Sequence, residues 1–200
     1  MKIETLSVDG IKDALYCMRH PMQSWNRADT YSNGAYLEVG DNDKDLSIRL
    51  QKAGPEHRKH LRFIVVRADV TMPRYFYQQL DTYRFGVEKY STSTMHKITA
   101  RPFEESDFEI DSDEWRKQLT DFMNERYEQW KTAGDEEERK MRWRDIIQCL
   151  PQSYLQLRTY MFSYEALRNI IKQRTGHKLI EWKYFIDWCK TLPESWMLFE

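Results

Sequence analysis

The chain predicts an α+β fold, and three observations carry that expectation. Residues 1–8 alternate as a strand, and Leu61 to Val70 form a β-branched apolar run that reads as a buried strand. Two long stretches, about 114–132 and 135–149, keep helical spacing, with Gly134-Asp135 as the break and cap between them. No repeat or low-complexity segment interrupts this order. At 200 residues the chain is long enough for one well-buried domain, or barely two small ones. Charged residues at 32% and aromatics at 14% are a globular composition and exclude a disordered one.

The punctuation sets the remaining elements. Gly10-Ile11 opens a short amphipathic helix through Met18, and His20-Pro21 ends it, because the residue before proline is pushed out of the helical region. From Trp25 to Gly40 the chain is polar and turn-rich, with Asn33-Gly34 a turn signal. Leu46 to Ala53 forms a helix closed by Gly54-Pro55. Residues 73–85 return to helical spacing through Tyr75, Gln78, Gln79 and Thr82, then lead to a basic, hydroxyl-rich loop. The acidic stretch from Arg101 to Glu114 reads as a solvated loop entering the first long helix. Pro151 separates the long helices from a further helix at about 159–173, and a last one runs from about 177 to 190 before Leu192-Pro193.

Several function classes drop out early. A formal net charge of −1 gives no global field to recruit nucleic acid or a membrane surface. No apolar run approaches the roughly 20 residues that span a bilayer, and the opening M-K-I-E-T-L-S-V lacks the apolar core of a signal peptide. Cys17, Cys149 and Cys189 are odd in number and far apart, forming neither a metal-ligand pair nor a disulfide framework, which fits a reducing cytoplasm.

The stretch from Phe63 to His96 carries the chemistry. It delivers Arg74, Gln79, Arg84, Ser91 and Ser93 from one continuous piece of chain. Guanidinium, amide and hydroxyl groups together suit a phosphorylated ligand with a hydrogen-bonding base. Each also has a plainer reading. Arg74 and Arg84 read equally as surface ion-pair residues, Ser91 to Thr94 as a capping and turn cluster, and Gln79 as an ordinary polar helix position. His177 and Glu181 are spaced as half a metal site, but no third ligand joins them, so a helix-start histidine with a salt-bridge partner accounts for the spacing. Tyr75, Phe76 and Tyr77, like Trp182, Tyr184, Phe185 and Trp188, read as packing residues. The mixed-charge run 136–144 reads as a solvated helix face.

The same stretch resembles the signature region of the flavin-dependent thymidylate synthases, the ThyX family. Arg74 falls on the arginine of the family's Ser-Arg-Ala helix start, Gln79-Leu80 on its Gln-Leu, and Arg84 on the last arginine of Arg-His-Arg. Thr82 and Tyr83 replace the other two members of that triplet. With one inserted residue, Tyr90, Ser91, Ser93, Met95 and His96 stand at the positions of Ser-x-Asn-Glu-x-Ser-x-Arg-Tyr, and only Ser93 is identical. Upstream, Gly54, His60 and Phe63 match the family's Gly-His segment. A second segment is similar as well: Leu150-Pro151, Arg174, His177 and Glu181 match the family's C-terminal pattern, with Lys183 at its last arginine and Leu179 at its glutamine.

The resemblance implies one ThyX-like α+β domain over residues 1–200, a small mixed sheet packed against several long helices, with an acidic loop at 104–114 and a long helical segment at 114–149. It implies methylation of C5 of dUMP or a related pyrimidine nucleotide, with FAD as cofactor and NADPH and methylenetetrahydrofolate as co-substrates. It also implies a catalytic role for Lys183 and Ser93, nucleotide binding by Arg74, Gln79, Arg84, Ser91, Ser93 and Lys183, and cofactor binding by His60, Arg84, Arg174 and His177. A cytoplasmic homotetramer with sites at subunit junctions is expected. The altered motif leaves two alternatives open: a nucleotide-binding protein on the same scaffold that no longer transfers carbon, and a structural homo-oligomeric interaction protein.

Overall fold

The computed structural model describes residues 1–33 and 36–199. The chain runs through β1 (Lys2–Asp9), α1 (Ile11–Cys17), β2 (Tyr31–Ser32), β3 (Leu37–Glu38), α2 (Asp41–Ala53), β4 (Val65–Pro73), α3 (Arg74–Leu80), β5 (Val87–Ser91) and α4 (Thr94–Lys97). It continues through α5 (Asp113–Lys131), α6 (Glu136–Cys149), β6 (Leu155–Ser163), α7 (Tyr164–Arg174), α8 (Ile180–Lys190) and α9 (Trp196–Phe199). One four-stranded sheet has the order β1-β4-β6-β5, and β2 pairs antiparallel with β3 through Tyr31–Glu38 and Ser32–Leu37. This is the expected α+β class. The expected Asn33-Gly34 turn lies partly outside the described residues.

Four sequence expectations need correction. Residues 155–163 form a strand, not the first turns of a helix at 159–173: Gln156, Tyr160 and Phe162 are buried with a period of two, and α7 begins only where Ser163 Oγ accepts a hydrogen bond from Ala166 N. Residues 87–91 are a strand, where a loop was expected. The helix expected over 73–85 stops at Leu80. Helix α2 starts at Asp41, five residues earlier than its apolar pattern begins, because Asp29 caps it from outside, accepting hydrogen bonds from Asn42 N and Asp43 N at 2.9 and 3.0 Å.

The chain divides into two compact units. One comprises residues 1–2, 70–82 and 90–158; the other comprises 3–69, 83–89 and 159–200. In the first, α5 and α6 enclose an apolar core of Ile98, Phe103, Phe108, Met123, Tyr127, Ile146 and Leu150. Tyr77 is the polar centre of the same unit. Its hydroxyl lies 2.6 Å from Val70 O and 2.8 Å from Gln156 O, and accepts from Met72 N. Arg158 lies 3.8 Å over its ring and pairs with Asp81 at 2.9 Å.

The second unit is built on aromatic packing. Phe162, Trp182, Phe185 and Trp188 meet edge to face or tilted, with centroids 5.2–6.2 Å apart. A buried ion pair, Arg19 Nε to Asp43 Oδ1 at 2.6 Å, joins the chain after α1 to α2. Asp43 Oδ2 accepts from Asp29 N and Thr30 N. Burial alone would raise this carboxyl, but the hydrogen bonds from Thr30, Arg19 and Asp29 outweigh it and hold the group below the usual carboxylate range. Among the described residues, no helix is long and apolar enough to cross a membrane.

Candidate functional site

Residues 83–86 carry the last arginine of the altered triplet and an aromatic ring into β5. Gly86 has φ +68°, and its carbonyl accepts a hydrogen bond from Ser163 N at 2.8 Å. A Cβ at Gly86 would lie 2.4 Å from Ser163 Oγ, so the turn lies directly against the start of α7. Gly86→Ala is therefore expected to cost about 1–2 kcal/mol, from backbone strain and a displaced helix cap. Urea denaturation would read it as a lowered midpoint with an unchanged slope.

Beside this turn lies a cleft of about 420 Å³, lined by Arg62, Phe85, Gly86, Ser163, Glu165, Ala166 and Asn169. Phe85 is 97% exposed, which leaves its ring face available to a planar ligand. Arg62 and Arg84 are both exposed and form no ion pair among the described residues. Glu165, the acid in the lining, is neutralised by Arg58, whose Nε donates to both carboxylate oxygens at 2.9 and 3.1 Å. The cleft thus combines an apolar ring, hydrogen-bonding side chains and uncompensated cation nearby, a combination suited to an aromatic anion.

Next to Arg84, Tyr83 receives a hydrogen bond from Arg174 Nε at 2.9 Å and donates one to Gln173 Oε1 at 3.0 Å. The Arg174 guanidinium lies 5.4 Å from the Tyr83 centroid and 4.7 Å from that of Trp182. His177 meets Trp182 edge-on at 6.2 Å, and its Nδ1 accepts from Leu179 N. Arg174 and His177 thus converge on one indole. Lys183 is exposed and pairs with Asp187 at 2.8 Å, while Lys190 holds the same carboxylate at 2.7 Å. The hydrogen bonds from Lys183 and Lys190 pull the Asp187 carboxyl down to about 2, and the Asp187 hydrogen bond raises Lys183.

His60 is only 3% exposed, in a 3-10 turn over Lys59–Arg62. Its Nε2 is 2.8 Å from Ser47 Oγ, and Nδ1 is buried without a hydrogen-bond partner among the described residues. Burial lowers its pKa from the ordinary 6.5 to about 4. Because the unfolded chain takes up this proton first, stability is complete above about pH 6.5 and falls as the pH drops toward 4, by about 3 kcal/mol in all. His60→Gln is expected to flatten that part of the profile. Denaturation of both proteins at pH 7 and pH 4.5 reads the difference.

Four expected site residues belong to the other unit. Arg74 is half-buried and its Nη1 donates to Leu150 O at 3.1 Å. Gln79 is half-buried on α3, and Ser91 is exposed at the end of β5. Ser93 Oγ accepts from His96 N and caps α4, the plainer of its two sequence readings. Among the described residues, no group of three or more His, Cys, Asp or Glu is placed to hold a metal ion.

Sequence reasoning missed Arg62, Phe85, Ser163 and Asn169. Phe85, an aromatic between an arginine and a glycine, carried a weak local signal. Ser163 and Asn169 reach the cleft from about 80 residues away and carried none.

No protein-family model and no curated protein sequence matches the chain. Its structure is similar to that of flavin-dependent thymidylate synthase ThyX from Helicobacter pylori complexed with FAD and dUMP: TM-score 0.75, 16% identity, 99% of this chain and 98% of that one. It is similar also to a second structure of Helicobacter pylori Thymidylate Synthase X with FAD and dUMP: TM-score 0.77, 17% identity, 100% and 98% coverage. At this identity the likeness is one of fold: along its whole length the chain has the fold of the flavin-dependent thymidylate synthases, as a divergent member of that family would.

Proposed function

We propose that the chain is a flavin-dependent thymidylate synthase-like protein that binds FAD and dUMP or a related pyrimidine nucleotide. The observation that carries this reading is the full-length likeness to two structures that hold both ligands. The residues present fit such ligands: Phe85 offers a ring face to a planar heterocycle, and Arg62 and Arg84 offer charge to phosphate.

In this reading Arg84 and Arg74 are each a phosphate ligand within their own unit, Arg74 braced on Leu150 O. Gln79 reads the polar edge of the base. The Ser91 hydroxyl completes the anion site with that of Ser93, whose oxygen accepts from His96 N while its proton remains for a ligand oxygen. Lys183 supplies positive charge to the pyrimidine carbonyl, with its ammonium oriented by Asp187. Arg84, Arg174 and His177 form the cofactor wall. His60, sealed from solvent, supports that wall through the turn that carries Arg62. When bound, reduced flavin supplies the reducing equivalents, methylenetetrahydrofolate the carbon for C5 of dUMP, and NADPH renews the reduced state. The protein's contribution is to clamp, orient and polarise the nucleotide. We place it in the cytoplasm as a single domain over residues 1–200, and as a homotetramer with shared sites.

One observation favours a second reading, a nucleotide-binding protein that no longer transfers carbon. Arg174, a residue the first reading gives to the cofactor, already spends its Nε donor on the Tyr83 hydroxyl. The discriminating experiment supplies dUMP, methylenetetrahydrofolate, NADPH and FAD and measures dTMP. Its formation supports the enzyme; dUMP binding without dTMP supports the second reading; absence of both ends the proposal.

A further inference from the structure

We infer that the outer face of α6 docks a second copy of this chain. The two helices lie antiparallel, and Glu137 of each copy meets Arg144 of the other. Neither residue belongs to the candidate ligand sites, so the inference does not rest on the function proposed above.

Charged residues on an exposed helix commonly pair with opposite charges three or four positions away. Helix α6 follows this rule almost throughout. Glu136 pairs with Arg139 and Lys140, Glu138 with Arg142 at 3.5 Å, and Asp145 with Arg142 at 3.9 Å. Glu137 and Arg144 are the two charged residues of α6 that form no ion pair among the described residues. For Arg144 the reason is local: the positions three and four away hold Lys140, Met141, Ile147 and Gln148, none of them acidic. Glu137 lies on the same face, two turns and about 10 Å along the helix, and the two do not meet.

The face between them is exposed. Met141, 52% exposed, stands four positions after Glu137 and three before Arg144. An open groove of about 650 Å³ lies here, lined by Asp135, Glu137, Glu138, Lys140, Met141 and Arg144. Its acidic side chains all come from the N-terminal end of the helix, and its basic ones from further along. A surface polarised in this way is complementary to itself when the second copy runs in the opposite direction. A two-fold axis between Lys140 and Met141 meets that condition, because Glu137 stands three positions before Lys140 and Arg144 three after Met141. Such an isologous pairing makes every contact twice, as two-fold homo-oligomers do. Lys140 of each copy then lies across Met141 of the other, its hydrocarbon stem against the thioether and its ammonium in water. A ligand of one charge would satisfy one end of the groove; a second copy satisfies both.

One helix face is a small interface, so the pairing is read over a range of protein concentration. Sedimentation equilibrium of the full chain is the test, and wild type is expected to associate. Glu137→Arg sets arginine against arginine at both ends of the pair, and Arg144→Glu sets glutamate against glutamate. Each is expected to raise the dissociation constant of this contact by about tenfold or more, halving the assembled mass where wild type is joined. The double variant Glu137→Arg, Arg144→Glu restores opposite charges and is expected to recover the wild-type mass. A loosened fold would not give that recovery, and melting temperatures of all four proteins report the fold separately. A wild type that stays monomeric at every concentration overturns the inference. So does a single variant that keeps the wild-type mass, or a double variant no heavier than the single ones.

Discussion

Arg84→Ala is expected to weaken dUMP and FAD binding by about 10- to 150-fold, the loss of a charge-assisted hydrogen bond to phosphate worth about 1.5–3 kcal/mol. The side chain is exposed and forms no ion pair among the described residues, so the fold has little at stake in it. Its melting temperature should stay within about a degree or two of wild type. Arg84→Lys keeps the charge but loses the planar fork, and is expected to fall between the two. Calorimetric titration checks each protein; affinity unchanged in Arg84→Ala would remove this residue from the phosphate site.

The largest stability effect is expected at Asp43. Asp43→Ala leaves the Arg19 guanidinium, 2% exposed, without its counter-charge and frees Asp29 N and Thr30 N. Breaking a buried pair from one side costs about 3–5 kcal/mol, because the remaining charge stays desolvated. For a chain of this size, that lowers the melting temperature by about 10 °C. The pH profile carries the same signature. The native carboxyl titrates below its ordinary value, so its contribution is present above about pH 4 and disappears as the pH falls through the depressed native value. Asp43→Ala should lack that acid limb. Scanning calorimetry of both proteins between pH 3 and pH 7 tests both statements; equal melting temperatures would show that the pair contributes nothing net.

The sequence was legible where local rules and tertiary structure agree. The long helices α5 and α6 were expected within about two residues, because Ser112 and Asp135 cap them from their own sequence, each accepting from the backbone three residues on. Helix α2 shows the opposite case. Its first turn, Asp41 to Lys44, contains no apolar residue, and its cap comes from Asp29, which lies twelve residues before the helix. Strand β6 was misread because Tyr160, Met161 and Phe162 continue into the apolar pattern of α7 without a break, and Ser163 marks the change only through its cap geometry. The site behaved similarly. The arginines and serines of the 74–93 stretch could be named because they share a motif. The burial of His60 and the Tyr83–Arg174 contact arise from chain segments far apart in sequence, and no spacing reports them.

The proposed function requires this fold to accept a flavin beside a pyrimidine nucleotide. The most direct measurement is an absorbance scan of the purified protein before and after incubation with FAD and removal of the excess. The account predicts retained absorbance near about 450 nm, the band of a bound oxidised flavin, and a reduced band in Arg84→Ala. A colourless wild-type protein that FAD does not reconstitute would contradict it.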